Sequence, residues 1–168
     1  PREGLPTAAN CRPDAAPAGR TMLGEDQLAW FTDEIRDSTA RWTVWSDEVL
    51  TVPFRLGGGR ASLYPVQGGW DGYTRERRYV TERIHESPPR NFVTLTGDMH
   101  CYIAGYKRTD YGGPVTGRLF PPGERVGVEF MTPAVSSLNV AEALGIGDGP
   151  LGRLTEPLLR RFVTAQNP

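Results

Sequence analysis

Imidazole and thiol groups are scarce in this chain of 168 residues, which has two histidines and two cysteines. Two cysteines cannot build a cysteine-rich zinc module, which needs about four ligands. Cys11 and Cys101 are left as one disulfide in an exported protein, as two unpaired thiols, or as bonds to a cysteine outside the chain. With only His85 and His100 as bases or nitrogen ligands, a self-contained active site is severely limited. Charge of one sign is also lacking, with 19 Lys and Arg against 20 Asp and Glu. That balance gives no support to a nucleic-acid footprint or a polybasic membrane anchor. No apolar run approaches the ~18 residues of a membrane-spanning helix. No basic segment followed by an apolar one opens the chain as a signal peptide would. Several catalytic signatures are missing too: a G-x-S-x-G elbow, a phosphate-binding P-loop with its Lys, and a G-x-G-x-x-G between strand and helix. No internal repeat or charge block is present.

What is plentiful is glycine (20) and proline (15), beside a 10% aromatic share that argues against disorder. The length suits one loop-rich domain or a piece of one. Residues 1–20 are rich in Pro, Ala and Gly without periodicity, and read as a linker or processed terminus. Leu28, Phe31 and Ile35 recur at spacings of three and four, predicting a helix over about 25–38, with Glu25 and Asp26 in its first turn. Residues 41–54 read as a buried strand broken by an acidic turn at Ser46-Asp47-Glu48, and 56–60 as a flexible loop. Tyr73, Val80 and Ile84 form the stripe of a second helix with Thr74 as a candidate N-cap; its Arg and Glu side chains read as a solvated face. Strands are expected over 92–96, 100–108 and 125–132, and helices over 136–144 (capped by Ser136 or Ser137) and 151–165 (kinked or delayed by Pro157). The order predicts an α+β (α/β layered) fold, a mixed sheet covered by helices.

Chemistry concentrates at Thr96-Gly97-Asp98-Met99-His100, where an apolar strand ends. The glycine permits an unusual backbone and close approach of a ligand. Asp98 and His100 fanned from one strand end suit hard or borderline cations. By local sequence alone the commoner reading is a structural turn, with Asp98 capping it and His100 bonded to backbone. Asp47 and Glu48 offer a second acidic point, either a converging ligand or a solvated turn. Asp71, just before the second helix, reads as its cap or as the edge of a charged site. His100 and Cys101, as neighbours on a strand, would point to opposite faces, which disfavours a Cys-His couple.

Five segments in order resemble one family. RTMLGEDQLAWF (20–31), STARWTVWSDEV (38–49), WDGY (70–73), NFVTLTGDMH (91–100) and VGVEFMTPAVSS (126–137) are similar to blocks of PhoD-like metallophosphoesterases. The resemblance implies the C-terminal part of a four-layer αββα calcineurin-like fold, with residues 21–168 forming the C-terminal half of its catalytic domain. It implies a centre of ferric iron and calcium, with zinc or manganese as alternatives. His100 would be an iron ligand, Asp98 a ligand of the neighbouring divalent ion, and both catalytic. Asp47 would bind calcium; the resemblance assigns no role to Asp71, which is taken to stand behind the ligands. The family's early D-x-H, G-D-x-x-Y and G-N-H-D motifs do not occur here, and its iron-binding cysteine belongs with them. The expectation is therefore a C-terminal chain that needs an N-terminal partner from the same enzyme. The resemblance further implies a secreted phosphodiesterase of phospholipase D type acting on a phosphoester or phospholipid. The rivals are an alkaline phosphomonoesterase and a non-catalytic stabilising domain.

Overall fold

The computed structural model describes residues 21–55, 68–111 and 122–137, together with Pro157. The expected linker 1–20, the loop 56–60 and the expected C-terminal helices beyond Ser137 lie outside these residues, Pro157 apart. Two helices, α1 (Glu25–Asp37) and α2 (Thr74–Glu86), and four strands, β1 (Thr43–Ser46), β2 (Phe92–Thr96), β3 (Ile103–Arg108) and β4 (Arg125–Met131), make up the regular structure, with a 3-10 turn at Trp70–Gly72. The strands form one sheet in the order β1-β2-β4-β3. β1, β2 and β4 run parallel, and β3 runs antiparallel to β4. The mixed sheet matches the expected α+β class.

The periodicities in the sequence decide which face is covered. Ile35 from α1 and Val80 and Ile84 from α2 pack with Trp45, Phe92 and Val126 of the sheet and with Trp70, while Leu28 and Phe31 pack against this core. Trp45 is its centre: Phe31 lies 4.6 Å from its ring and Trp70 meets it edge-on at 5.6 Å. Burial of such side chains contributes about 1.5–3 kcal/mol each. Because side chains alternate along a strand, the same register puts Val44, Val93, Val128 and Tyr106 in one row of the other face, with Leu95, Phe130 and Ala104 in the next. That apolar face is open: Val44 is 55% exposed, Leu95 41%, Phe130 38% and Tyr106 42%.

Several local expectations are corrected. β1 is an edge strand with Val44 outward, not a fully buried one, because strand pairing ends at Ser46 and the chain then turns. Residues 49–55 cross the sheet without joining it. Tyr73, not Thr74, occupies the α2 N-cap position, and no side chain caps that helix. The polar face of α2 is only partly solvated. Glu76 turns inward and accepts the Met22 and Leu23 N–H groups at 2.5 and 3.0 Å, and Arg77 pairs with Asp71 at 2.6 Å. His100 and Cys101 precede β3 in a loop, so strand alternation does not apply to them.

Packing of β4 against β2 leaves no room at Gly127. A Cβ there would stand 2.7 Å from Phe92 Cδ1 and 3.1 Å from its carbonyl oxygen, whereas one at Gly105 would meet only Val52 at 3.8 Å. Gly127→Ala is expected to cost about 1–3 kcal/mol, read as a lower melting temperature by circular dichroism. Gly105→Ala should stay near wild type.

Candidate active site

Parallel pairing brings three carboxyl strand ends to one edge. Past β1, the Asp47 N–H donates to Leu95 O at 3.0 Å, and the Gly97 N–H donates to Glu48 O at 3.2 Å. On the other side the Thr132 N–H donates to Thr96 O at 2.9 Å. The acidic turn thus lies directly beside the Asp-x-His loop. In open α/β sheets this is the edge at which ligands bind.

The loop itself departs from the expected glycine-led turn. Gly97 has no left-handed backbone, and a Cβ there would make an ordinary 3.8 Å contact with Glu48 O. The left-handed residues are Asp98 (φ 74°) and His100 (φ 53°). A non-glycine residue in this region is uncommon and costs about 1–3 kcal/mol, and it persists where the surroundings impose it. The turn is closed by backbone, the Met99 N–H donating to Gly97 O at 3.0 Å. Asp98 does not cap it. Its side chain is exposed and holds no hydrogen bond or ion pair among the described residues. His100 is half-buried next to it.

Asp47 and Asp71 have structural partners. Asp47 accepts the Val49 N–H at 3.1 Å through Oδ1 and the Trp70 indole N–H at 3.0 Å through Oδ2. Burial pushes its carboxyl above the usual range. Asp71 does not cap α2. Buried in the 3-10 turn, it accepts the Phe54 N–H at 3.0 Å and the Arg77 guanidinium at 2.6 Å, and burial raises its pKa against both. Asp71 thereby ties the 53–55 segment to α2. His85 sits in the last turn of α2 with Nδ1 3.7 Å from Glu124 and takes no part in the strand-end edge. Burial also pushes the Cys101 thiol up, away from a reactive thiolate. Among the described residues Cys101 is free, and Cys11 lies outside them.

Sequence reasoning missed the residue that holds this edge together. Glu129, on β4, is 1% exposed. It accepts the Thr51 N–H at 2.8 Å, the Val52 N–H at 3.0 Å and the Thr96 hydroxyl at 3.1 Å, and also the Thr51 hydroxyl. Lys107 Nζ stands 3.6 Å away, donates to Thr51 Oγ1, and lies 4.3 Å over the Trp45 ring. The signal in the sequence is a lone acid inside the apolar run VGVEFM and a lone lysine inside a strand. Buried charges of this kind are retained only when paired and hydrogen-bonded.

Ferric iron and calcium are the cations that the family resemblance implies at this edge. Among the described residues no three or more His, Cys, Asp or Glu side chains come together to hold a metal ion. Asp98 and His100 have suitable donor chemistry, and an exposed carboxylate without an internal partner fits a ligand kept for an ion. Two donors make one wall of a coordination sphere, not a cage.

Parallel strands with an acidic turn and an Asp-x-His loop at their carboxyl ends define the class as a layered α/β unit. Comparison with known proteins narrows the class. The model of the PhoD-like phosphatase family matches residues 3–157, and the chain belongs to that family. It is similar to alkaline phosphatase D of Bacillus subtilis (strain 168), 29% identical over 118 residues, which cover 70% of this chain and 19% of that protein. It is also similar to a solved structure of PhoD, with a TM-score of 0.61 and 28% identity, covering 71% of this chain and 21% of the other. The chain therefore spans about a fifth of the length of these relatives.

The buried pair makes stability depend on pH. Burial, opposed by Glu129 and Asp47, lowers Lys107 to about 8 from 10.5. Below pH 8 both folded and unfolded chains carry the proton, and the cost of the buried charge is fully present. Between about 8 and 10.5 the unfolded chain keeps a proton the folded chain has lost, so stability rises with pH. Urea midpoints measured from pH 7 to 10 should show this rise. Lys107→Met should abolish it and lower stability at pH 7 by about 3–5 kcal/mol, because Glu129 is left buried and uncompensated.

Proposed function

We propose that this chain is the C-terminal portion of a metal-dependent phosphoester hydrolase and that Asp98 and His100 are cation ligands of its catalytic centre. The observation that carries the reading is the Asp98 carboxylate, without a partner among the described residues and held in a left-handed backbone beside His100 at the carboxyl ends of parallel strands. Membership of the PhoD-like phosphatase family supports it. His100 suits iron, Asp98 and Asp47 suit calcium, and zinc or manganese would accept the same donors. The chemistry such cations supply is Lewis-acid activation of water and neutralisation of charge on the phosphoryl oxygens.

This chain's own residues do the positioning. Glu129 fixes residues 51–52 against Thr96, and Trp70 holds Asp47 beside the loop. The remaining ligands would come from an N-terminal chain or half of the same enzyme. The span of about a fifth of its relatives supports this, as does the open apolar face of the sheet, which a covering polypeptide would bury. The substrate we assign is a phosphodiester of the phospholipase D class, cleaved outside the cell. A phosphomonoester is the second reading, favoured by the name of the relative, alkaline phosphatase D.

The test uses the complete enzyme. Asp98→Ala and His100→Ala should each lower hydrolysis by about 100-fold or more and reduce bound metal, with the melting temperature near wild type. Full activity with stoichiometric metal in both variants would reject the assignment. Turnover of phosphatidylcholine against p-nitrophenyl phosphate decides between diester and monoester.

A further inference from the structure

The arginines of α2 that the sequence assigned to a solvated face line a cavity of about 460 Å³ together with arginines from two other segments. Arg75, Arg77 and Arg78 come from α2, Arg55 from the crossing segment, and Arg108 from the end of β3. Five arginines line it with two acids, Glu82 and Asp110, and a third acid, Asp71, is paired with Arg77. Two of the five are rigidly placed. Arg77 is clamped by buried Asp71 at 2.6 Å, with the Tyr111 ring 5.9 Å away. The Arg108 guanidinium donates to Gly123 O at 2.9 Å, and its backbone N–H donates to the Tyr111 hydroxyl oxygen at 3.1 Å. Burial pushes the Tyr111 phenol up to about 12, so it stays neutral and takes nothing from the positive field. Arg75 and Arg78 are exposed and hold no ion pair among the described residues. Thr74 and Arg75, at the start of α2, also line the cavity, and no side chain caps that helix, so its positive end opens there.

We propose that this cavity binds a phosphate group. Guanidinium forks match the tetrahedral oxyanion geometrically and bind it through charge-assisted hydrogen bonds. The size and polarity of the cavity suit a phosphate or a small phosphate ester. The site is separate from the edge that carries Asp98 and His100. β3 starts at Ile103 beside Met131, at that edge, and ends at Arg108 beside Arg125, at the opposite one. Arg108 therefore stands about 17 Å further along the strand. A phosphate there is bound without being cleaved, either as a free anion or as the phosphate of a lipid.

The complete protein, stripped of metal with a chelator to silence the cation centre, is titrated calorimetrically with inorganic phosphate. Separately, it is mixed with phosphatidylcholine vesicles containing phosphatidic acid. The expected result is saturable binding, weakened at least tenfold by Arg75→Gln with Arg78→Gln and unchanged by Asp98→Ala with His100→Ala. Binding of inorganic phosphate identifies a soluble anion, and binding only to the vesicles with phosphatidic acid identifies a lipid-borne phosphate. No binding of either probe overturns the proposal, as does binding that the arginine pair does not weaken. Equal weakening by the Asp98 and His100 changes merges the cavity with the catalytic edge and overturns the claim of a separate site. The exposure of both arginines favours a folded variant, which near-ultraviolet circular dichroism verifies; single Arg78→Gln is the substitute, read in the same way.

Discussion

One buried carboxylate organises the described residues. Glu129 lies in the strand that β2 and β3 both pair with, and it gathers donors from the crossing segment, from β2 and from Lys107 on β3. A carboxylate removed from water is costly unless its lone pairs are filled, so the crossing segment must return to this place. With residues 51–52 fixed there, the acidic turn before them is fixed beside the Asp-x-His loop. Trp70 closes the arrangement from the other side, since its ring packs on Trp45 while its indole N–H holds Asp47. Core packing and site placement therefore share the same residues.

The contrast between Asp47, Asp71 and Asp98 is one of environment. Asp71 is buried and Asp47 half-buried; both accept N–H groups and have their ionisation opposed by burial. Asp98 is outside, in a backbone region that few residues adopt, with its turn closed by main-chain atoms. A carboxylate used to close its own turn has little left for a ligand, whereas one spared from that task has both oxygens available. This difference leaves Asp98, among the described residues, the acid of the three with both oxygens unengaged, and gives Asp47 a structural task.

Much of the fold was legible. Helix periodicity placed α1 within a residue of its observed end, and β-prone runs placed β2 and β4 closely. Capping was misread at Thr74 and at Asp71, where local preference for a cap was outweighed by other partners, the Arg77 guanidinium and the Phe54 N–H. Glu129 and Lys107 went unremarked because a single charge in an apolar strand reveals its role only when the partner across the sheet is known. The cluster of arginines on α2 looked like ordinary solvation for the same reason, since Arg55 and Arg108 are far away in the chain.

By itself the sequence determined the element types, the mixed α+β character, the apolar stripes and the Asp-x-His strand end, since these follow from periods of 3.6 and 2 and from residue chemistry within a few positions. Tertiary structure alone decided which strands are neighbours, which acids are enclosed and which is left open, and which arginines share a cavity. Those properties depend on residues up to 78 positions apart, as Thr51 and Glu129 are, and on burial, which no local pattern encodes.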